Sequence, residues 1–87
     1  HRIRGLYAIT PDEPDTIELL RKVGQALLGG AQIIQYRNKV ASVELRIEQA
    51  KELRKLTERF SVPLIINDDA VLAQQVDADG VHLGVAD

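Results

Sequence analysis

The sequence predicts an α/β fold: a parallel β-α-β-α-β-α-β chain, read as the first half of a (βα)8 TIM barrel over residues 1–87. Three observations carry this. Short β-branched apolar runs begin near residues 6, 32, 64 and 81, and the intervals between them hold helical patterns. Polar and charged residues gather just past the carboxyl end of each run. Strands separated by helices call for right-handed crossovers. Near-continuous runs such as "LII" suit a sheet covered by helices.

Each element has a local cause. "GLYAIT", 5–10, reads as a strand ended by Pro11 and Pro14, which lack the N–H a ladder needs. Over 16–28, Leu19, Leu20, Val23 and Leu27 mark one helix face, with Asp15 or Thr16 as N-cap and Gly29-Gly30 as the stop. "AQIIQYR", 31–37, is a second strand. Ser42 opens a helix over 43–59, with Val43, Ile47, Ala50, Leu53 and Leu56 inward. Arg46, Lys51, Glu52, Arg54 and Lys55 fall mainly on its wet side. Pro63 starts the strand "PLIIN", "AVLAQQV" is a short helix from about 70 to 76, and "GVHLG", 80–84, is the fourth strand. Tyr7 and Phe60 read as core or core-edge aromatics, and His82 as a structural histidine in an apolar strand. The chain stops at Asp87 with no helix to cover the last strand, hence the half-barrel reading, with strand edges open to a second copy and so to homo-oligomers.

Composition narrows the function classes. The absence of cysteine excludes disulfide scaffolds, zinc-thiolate sites and thiol catalysis, and fits a reducing cytoplasm. A net charge of −2 argues against a nucleic-acid partner. No apolar run approaches the roughly 20 residues of a membrane span. The nucleotide loops G-x-G-x-x-G and G-x-x-x-x-G-K are missing.

Ligands of parallel α/β folds bind beyond the carboxyl ends of the strands. Those positions here are Thr10; Gln35, Arg37 and Lys39; Asn67, Asp68 and Asp69; and His82 with Asp87. Carboxylates beside an amide are hard oxygen donors suited to Mg²⁺, and Arg and Lys beside them suit phosphate oxygens. The set points to a magnesium-bound diphosphate. An Asp pair before a helix is also a common N-cap, and both readings hold if Asp68 meets the rim while Asp69 begins the helix.

"GLYAIT", "GGAQIIQYRNK", "PLIINDD" and "ADGVHLG" stand in the order and at the separations found in the thiamine-phosphate synthase (thiamine-phosphate pyrophosphorylase) family, which this chain closely resembles. The resemblance implies a (βα)8 barrel that joins a pyrimidine methyl diphosphate to a thiazole phosphate, giving thiamine phosphate and pyrophosphate. It implies that Gln35, Arg37, Lys39 and Asn67 hold the pyrimidine diphosphate, Arg37 and Lys39 acting on the leaving group. It also implies that Asp68 and Asp87 ligate magnesium. Where the family commonly has glutamine before that last aspartate motif, this chain has Val85. The family's second half carries further diphosphate contacts and the thiazole phosphate site, so the 87 residues alone are expected to be inactive or dependent on a second copy.

Two rivals remain at this stage. A thiazole tautomerase-like relative shares the fold but needs less of the diphosphate set. A receiver-like α/β module, a non-enzyme, also binds Mg²⁺ at strand ends but leaves Arg37 and Lys39 unexplained.

Overall fold

The computed structural model describes residues 6–67, 69–76 and 78–82. Four strands, β1 (Leu6–Ile9), β2 (Ala31–Tyr36), β3 (Leu64–Asn67) and β4 (Gly80–His82), alternate with helices α1 (Thr16–Leu28), α2 (Val43–Arg59) and α3 (Ala70–Gln75). The strands form one parallel sheet in the order β1-β2-β3-β4. Residues 83 and 84 of the predicted fourth strand lie outside the described residues.

The helix starts follow side-chain chemistry. Of the two candidate caps of α1, Asp15 is the one used: its carboxylate accepts from the N–H groups of Ile17 and Glu18 at 3.0 and 3.3 Å. Ser42 accepts from Leu45 N–H at 3.1 Å, and Asp69 from Leu72 N–H at 2.9 Å. After α1 the two glycines differ. Gly30 takes φ 105°, a backbone that needs glycine, whereas Gly29 stays at −82°.

One face of the sheet is covered. Ile34, Tyr36, Leu64 and Ile66 form a core with Leu19, Val23 and Leu27 of α1, Ala50 and Leu53 of α2, and Leu72 of α3. Ala31 joins them although it is out of phase with Ile34. The register supplies the reason: Leu6 pairs with Ala31 but Tyr7 with Ile33, so Gln32 is an extra residue that resets the alternation. The opposite face carries Tyr7 and Ile9, which are 51% and 53% exposed. Tyr7 therefore lies outside this core, because among the described residues no helix packs on its side of the sheet.

The α2 stripe also departs from its prediction. Val43 is 59% exposed, because it lies in the first turn at the rim, while the polar Gln49 and Thr57 are fully buried. Arg46 is half-buried rather than on the wet side. Arg54 reaches the other end of the sheet, donating to Asp79 at 2.8 Å. Asp79 also accepts from Leu64 N–H at 2.8 Å, which ties β3 to the segment before β4.

Sequential strand order with α1, α2 and α3 sharing one core is a singly wound arrangement. Receiver-like modules reverse their strand order and cover both faces of the sheet, so the described residues do not fit that rival.

Candidate active site at the carboxyl rim

The rim is assembled around the loop that follows β2. Thr10 N–H donates to the Gln35 carbonyl at 2.9 Å, which extends the β1–β2 ladder one residue past β1. The Thr10 hydroxyl accepts from Arg37 N–H at 2.9 Å and donates to the Arg37 carbonyl at 3.2 Å. Lys39 N–H is held by an Asp12 carboxylate oxygen at 2.9 Å. The backbone carrying Arg37 and Lys39 is thus clamped to the loop after β1, although the Lys39 side chain is exposed.

Beneath this clamp lies a buried polar cluster. The Tyr36 hydroxyl donates to Gln49 Oε1 at 2.6 Å, and Asn38 Nδ2 donates to the same oxygen at 3.0 Å. Gln49 Nε2 donates to the Glu13 carbonyl at 2.8 Å, as does Asn38 Nδ2 at 3.0 Å. Both loops are therefore pinned to α2 by one amide with no solvent exposure.

On the open face, Gln35 is 3% exposed. It donates through Nε2 to the Tyr7 hydroxyl and accepts from Asn67 Nδ2 at 2.8 Å. The side chains of Tyr7, Gln35 and Asn67 thus join three adjacent strands, and both ends of the Gln35 amide are oriented. His82 stands opposite Asn67 in the register of β3 and β4.

Between the rim loops and the start of α3, Arg37, Asn38, Lys39, Arg46, Asn67 and Asp69 line a cavity of about 90 Å³. Three residues with cationic side chains and one with a carboxylate thus line it, and Asp69 already caps α3. Sequence reasoning brought Arg37, Lys39, Asn67 and Asp69 to one rim, and the structure gathers all four at this cavity. It missed Arg46, whose position four residues after the Ser42 cap puts it in the first turn of α2, at the rim. Asp68 and Asp87, the predicted metal ligands, lie outside the described residues, as does Val85. Among the described residues no group of three or more His, Cys, Asp or Glu is placed to hold a metal ion.

Burial pushes the Tyr36 phenol up to about 12 from an ordinary 10.0, while Asn38 and the Arg46 charge act in the opposite direction. The folded state thus holds this proton more tightly than the unfolded chain. Its contribution to stability is complete below about pH 10 and is lost as pH rises toward 12. In alkaline unfolding of the wild type and Tyr36→Phe, the substitution is expected to flatten the loss of stability between these two values. An unchanged slope would show that Tyr36 does not govern it.

Together these features define a parallel α/β protein with a mostly cationic cleft at the carboxyl edge of its sheet. The family model described as thiamine monophosphate synthase matches residues 6–87, and the chain belongs to that family. Thiamine-phosphate synthase of Nitrosospira multiformis is 55% identical over 85 residues, covering 98% of this chain and 36% of the relative. That of Methylobacillus flagellatus is 55% identical over 85 residues, covering 98% of this chain and 41% of the relative. A solved structure of thiamine phosphate pyrophosphorylase from Pyrococcus furiosus superposes with a TM-score of 0.83 at 39% identity, covering 95% of this chain and 40% of that one. The chain spans about two-fifths of the length of the relatives it matches.

Proposed function

We propose that these residues are the first four βα units of a (βα)8 barrel that joins a pyrimidine methyl diphosphate to a thiazole phosphate, forming thiamine phosphate and pyrophosphate. The observation that carries this is the rim cavity, with Arg37, Lys39 and Asn67 on its wall, in a chain that matches the family over residues 6–87. The singly wound sheet with one face open supports the barrel, since that face is the one a closed barrel turns inward.

In this reading Arg37 and Lys39 hold the diphosphate oxygens, Arg37 as a planar fork and Lys39 as a point charge. Both stabilise the negative charge that builds on the leaving group as the C–O bond breaks. Gln35 and Asn67 bind the pyrimidine diphosphate beside them, their amides oriented by the hydrogen bond they share. The thiazole nitrogen attacks the methylene carbon without a general base, because it carries no proton to lose.

Asp68 and Asp87 are the residues that would hold magnesium. The donor chemistry nearby fits, since Asn67 and Asp69 bring hard oxygen atoms to the same cavity as two phosphate-binding cations. A bound Mg²⁺ supplies charge neutralisation on the diphosphate. Small-molecule substrates and a cytoplasmic setting belong to this reading, and among the described residues no helix is long and apolar enough to cross a membrane.

Given both substrates and Mg²⁺, the full-length protein is expected to release pyrophosphate and form thiamine phosphate. EDTA is expected to stop the reaction and added Mg²⁺ to restore it. Absence of product with both substrates present would sink the reading.

A further inference from the structure

We propose that Arg46 is a further anion-binding residue of this site, giving a guanidinium N–H to a phosphate oxygen held in the rim cavity. This rests on the diphosphate reading above and adds a residue to it.

Arg46 lines the cavity on the α2 side, across from the Arg37–Lys39 loop. Its Nε is shut off from solvent and has no hydrogen-bond partner among the described residues. A buried donor left unsatisfied is costly, more so on a charged group; this one belongs to a side chain that lines a cavity, where a small turn of the guanidinium toward a bound acceptor would relieve it. The described residues do not supply one. The Tyr36 hydroxyl donates to Gln49 Oε1 and its oxygen receives no bond from Arg46 Nε, while Asn38 Nδ2 is a donor engaged with the same Gln49 oxygen. Asn38 Oδ1 accepts from Val40 N–H, and one Asp69 oxygen accepts from Leu72 N–H. No ion pair joins Arg46 to Asp69 among the described residues.

The space suits the ligand. About 15 Å³ suffices for one water, so a cavity of about 90 Å³ takes a group of several heavy atoms. With three cations around it and one carboxylate already capping a helix, that group is an oxyanion. The Arg46 backbone is fixed in the first turn of α2, where its amide N–H donates to the Ser42 carbonyl at 2.9 Å. A guanidinium there can reach an oxygen on the outer side of a diphosphate whose inner side meets Arg37 and Lys39.

The test is titration of the full-length protein with inorganic pyrophosphate in the presence of Mg²⁺, comparing wild type, Arg46→Gln, Arg46→Lys and Lys39→Ala. Arg46→Gln is expected to weaken pyrophosphate binding by roughly tenfold to a hundredfold. Arg46→Lys, which keeps the charge but loses the buried Nε–H, is expected to fall between the two. Affinity for the thiazole phosphate and the melting temperature should stay within error of wild type. If Arg46→Gln lowers only the melting temperature, Arg46 is structural and the proposal falls. If Arg46→Gln does not fold, equal pyrophosphate affinity of Arg46→Lys and wild type overturns it. Loss of binding in Lys39→Ala but not in Arg46→Gln removes Arg46 and leaves the diphosphate reading standing. A wild type that binds no pyrophosphate overturns both.

Discussion

Lys39→Ala in the full-length protein is expected to lower kcat/KM for thiamine phosphate formation by about 10²–10³-fold, the usual cost of removing one donor from developing anionic charge. Most of the loss should fall on kcat, because in the proposed reaction the charge that Lys39 meets grows as the diphosphate leaves. The substitution is clean in structural terms. The side chain is exposed, and the backbone at this position is held through Lys39 N–H and the Asp12 carboxylate, a bond alanine retains. Stability should therefore be unchanged, and a rate within threefold of wild type at saturating substrate would remove Lys39 from the chemistry. Arginine at 39 is expected to restore only part of the rate, since a longer planar fork does not reproduce a compact ammonium.

Gln49→Leu is expected to be the most damaging single change at a residue that touches no substrate. Leucine nearly preserves the volume, so packing is not the main loss. The Tyr36 hydroxyl loses its acceptor, and both Asn38 Nδ2 and the Glu13 carbonyl lose one of two partners. With each unsatisfied buried group costing about 1–3 kcal/mol, destabilisation of roughly 2–4 kcal/mol is expected in urea unfolding. The same change loosens the loops that carry Arg37 and Lys39, so KM for the diphosphate should rise at temperatures where the variant remains folded. A variant within 1 kcal/mol of wild type (about a fivefold change in the unfolding equilibrium) would show that the cluster contributes little.

Tyr36→Phe tests the same cluster from the other side. It removes one donor and leaves Gln49 Oε1 paired with Asn38, so it should be milder than Gln49→Leu. A reversed order would place the weight of the cluster on the phenol rather than on the amide.

Much of the fold was legible because its causes are local. Apolar spacing, Asp15, Ser42 and Asp69 as caps, and glycines after Leu28 act within a turn or two of the chain, so α1 and α2 appear over the residues their patterns mark. The convergence of Arg37, Lys39, Asn67 and Asp69 was legible too, because parallel strands deliver all their carboxyl ends to one edge. Which faces were covered was not local. The alternation in β2 is reset by an extra residue at Gln32, and only pairing with β1 reveals it. Tyr7, apolar by type, lies on the open side and meets Gln35 across the strands.

Polar burial was the least legible. Gln49 and Arg46 share the helix sector of Ala50, Leu53 and Leu56, but their polar side chains suggest water, and residue type says nothing of what stands opposite. Gln49 is inside because Tyr36, Asn38 and the Glu13 carbonyl, distant in sequence, meet at its amide. Arg46 is half-buried because the first turn of α2 leans over the rim cavity. The sequence alone determined the element order, the caps, the family resemblance and the residues delivered to the rim. The tertiary structure decided the strand order, the covered face and the partners of each buried polar group, because those depend on contacts between segments that no local pattern encodes.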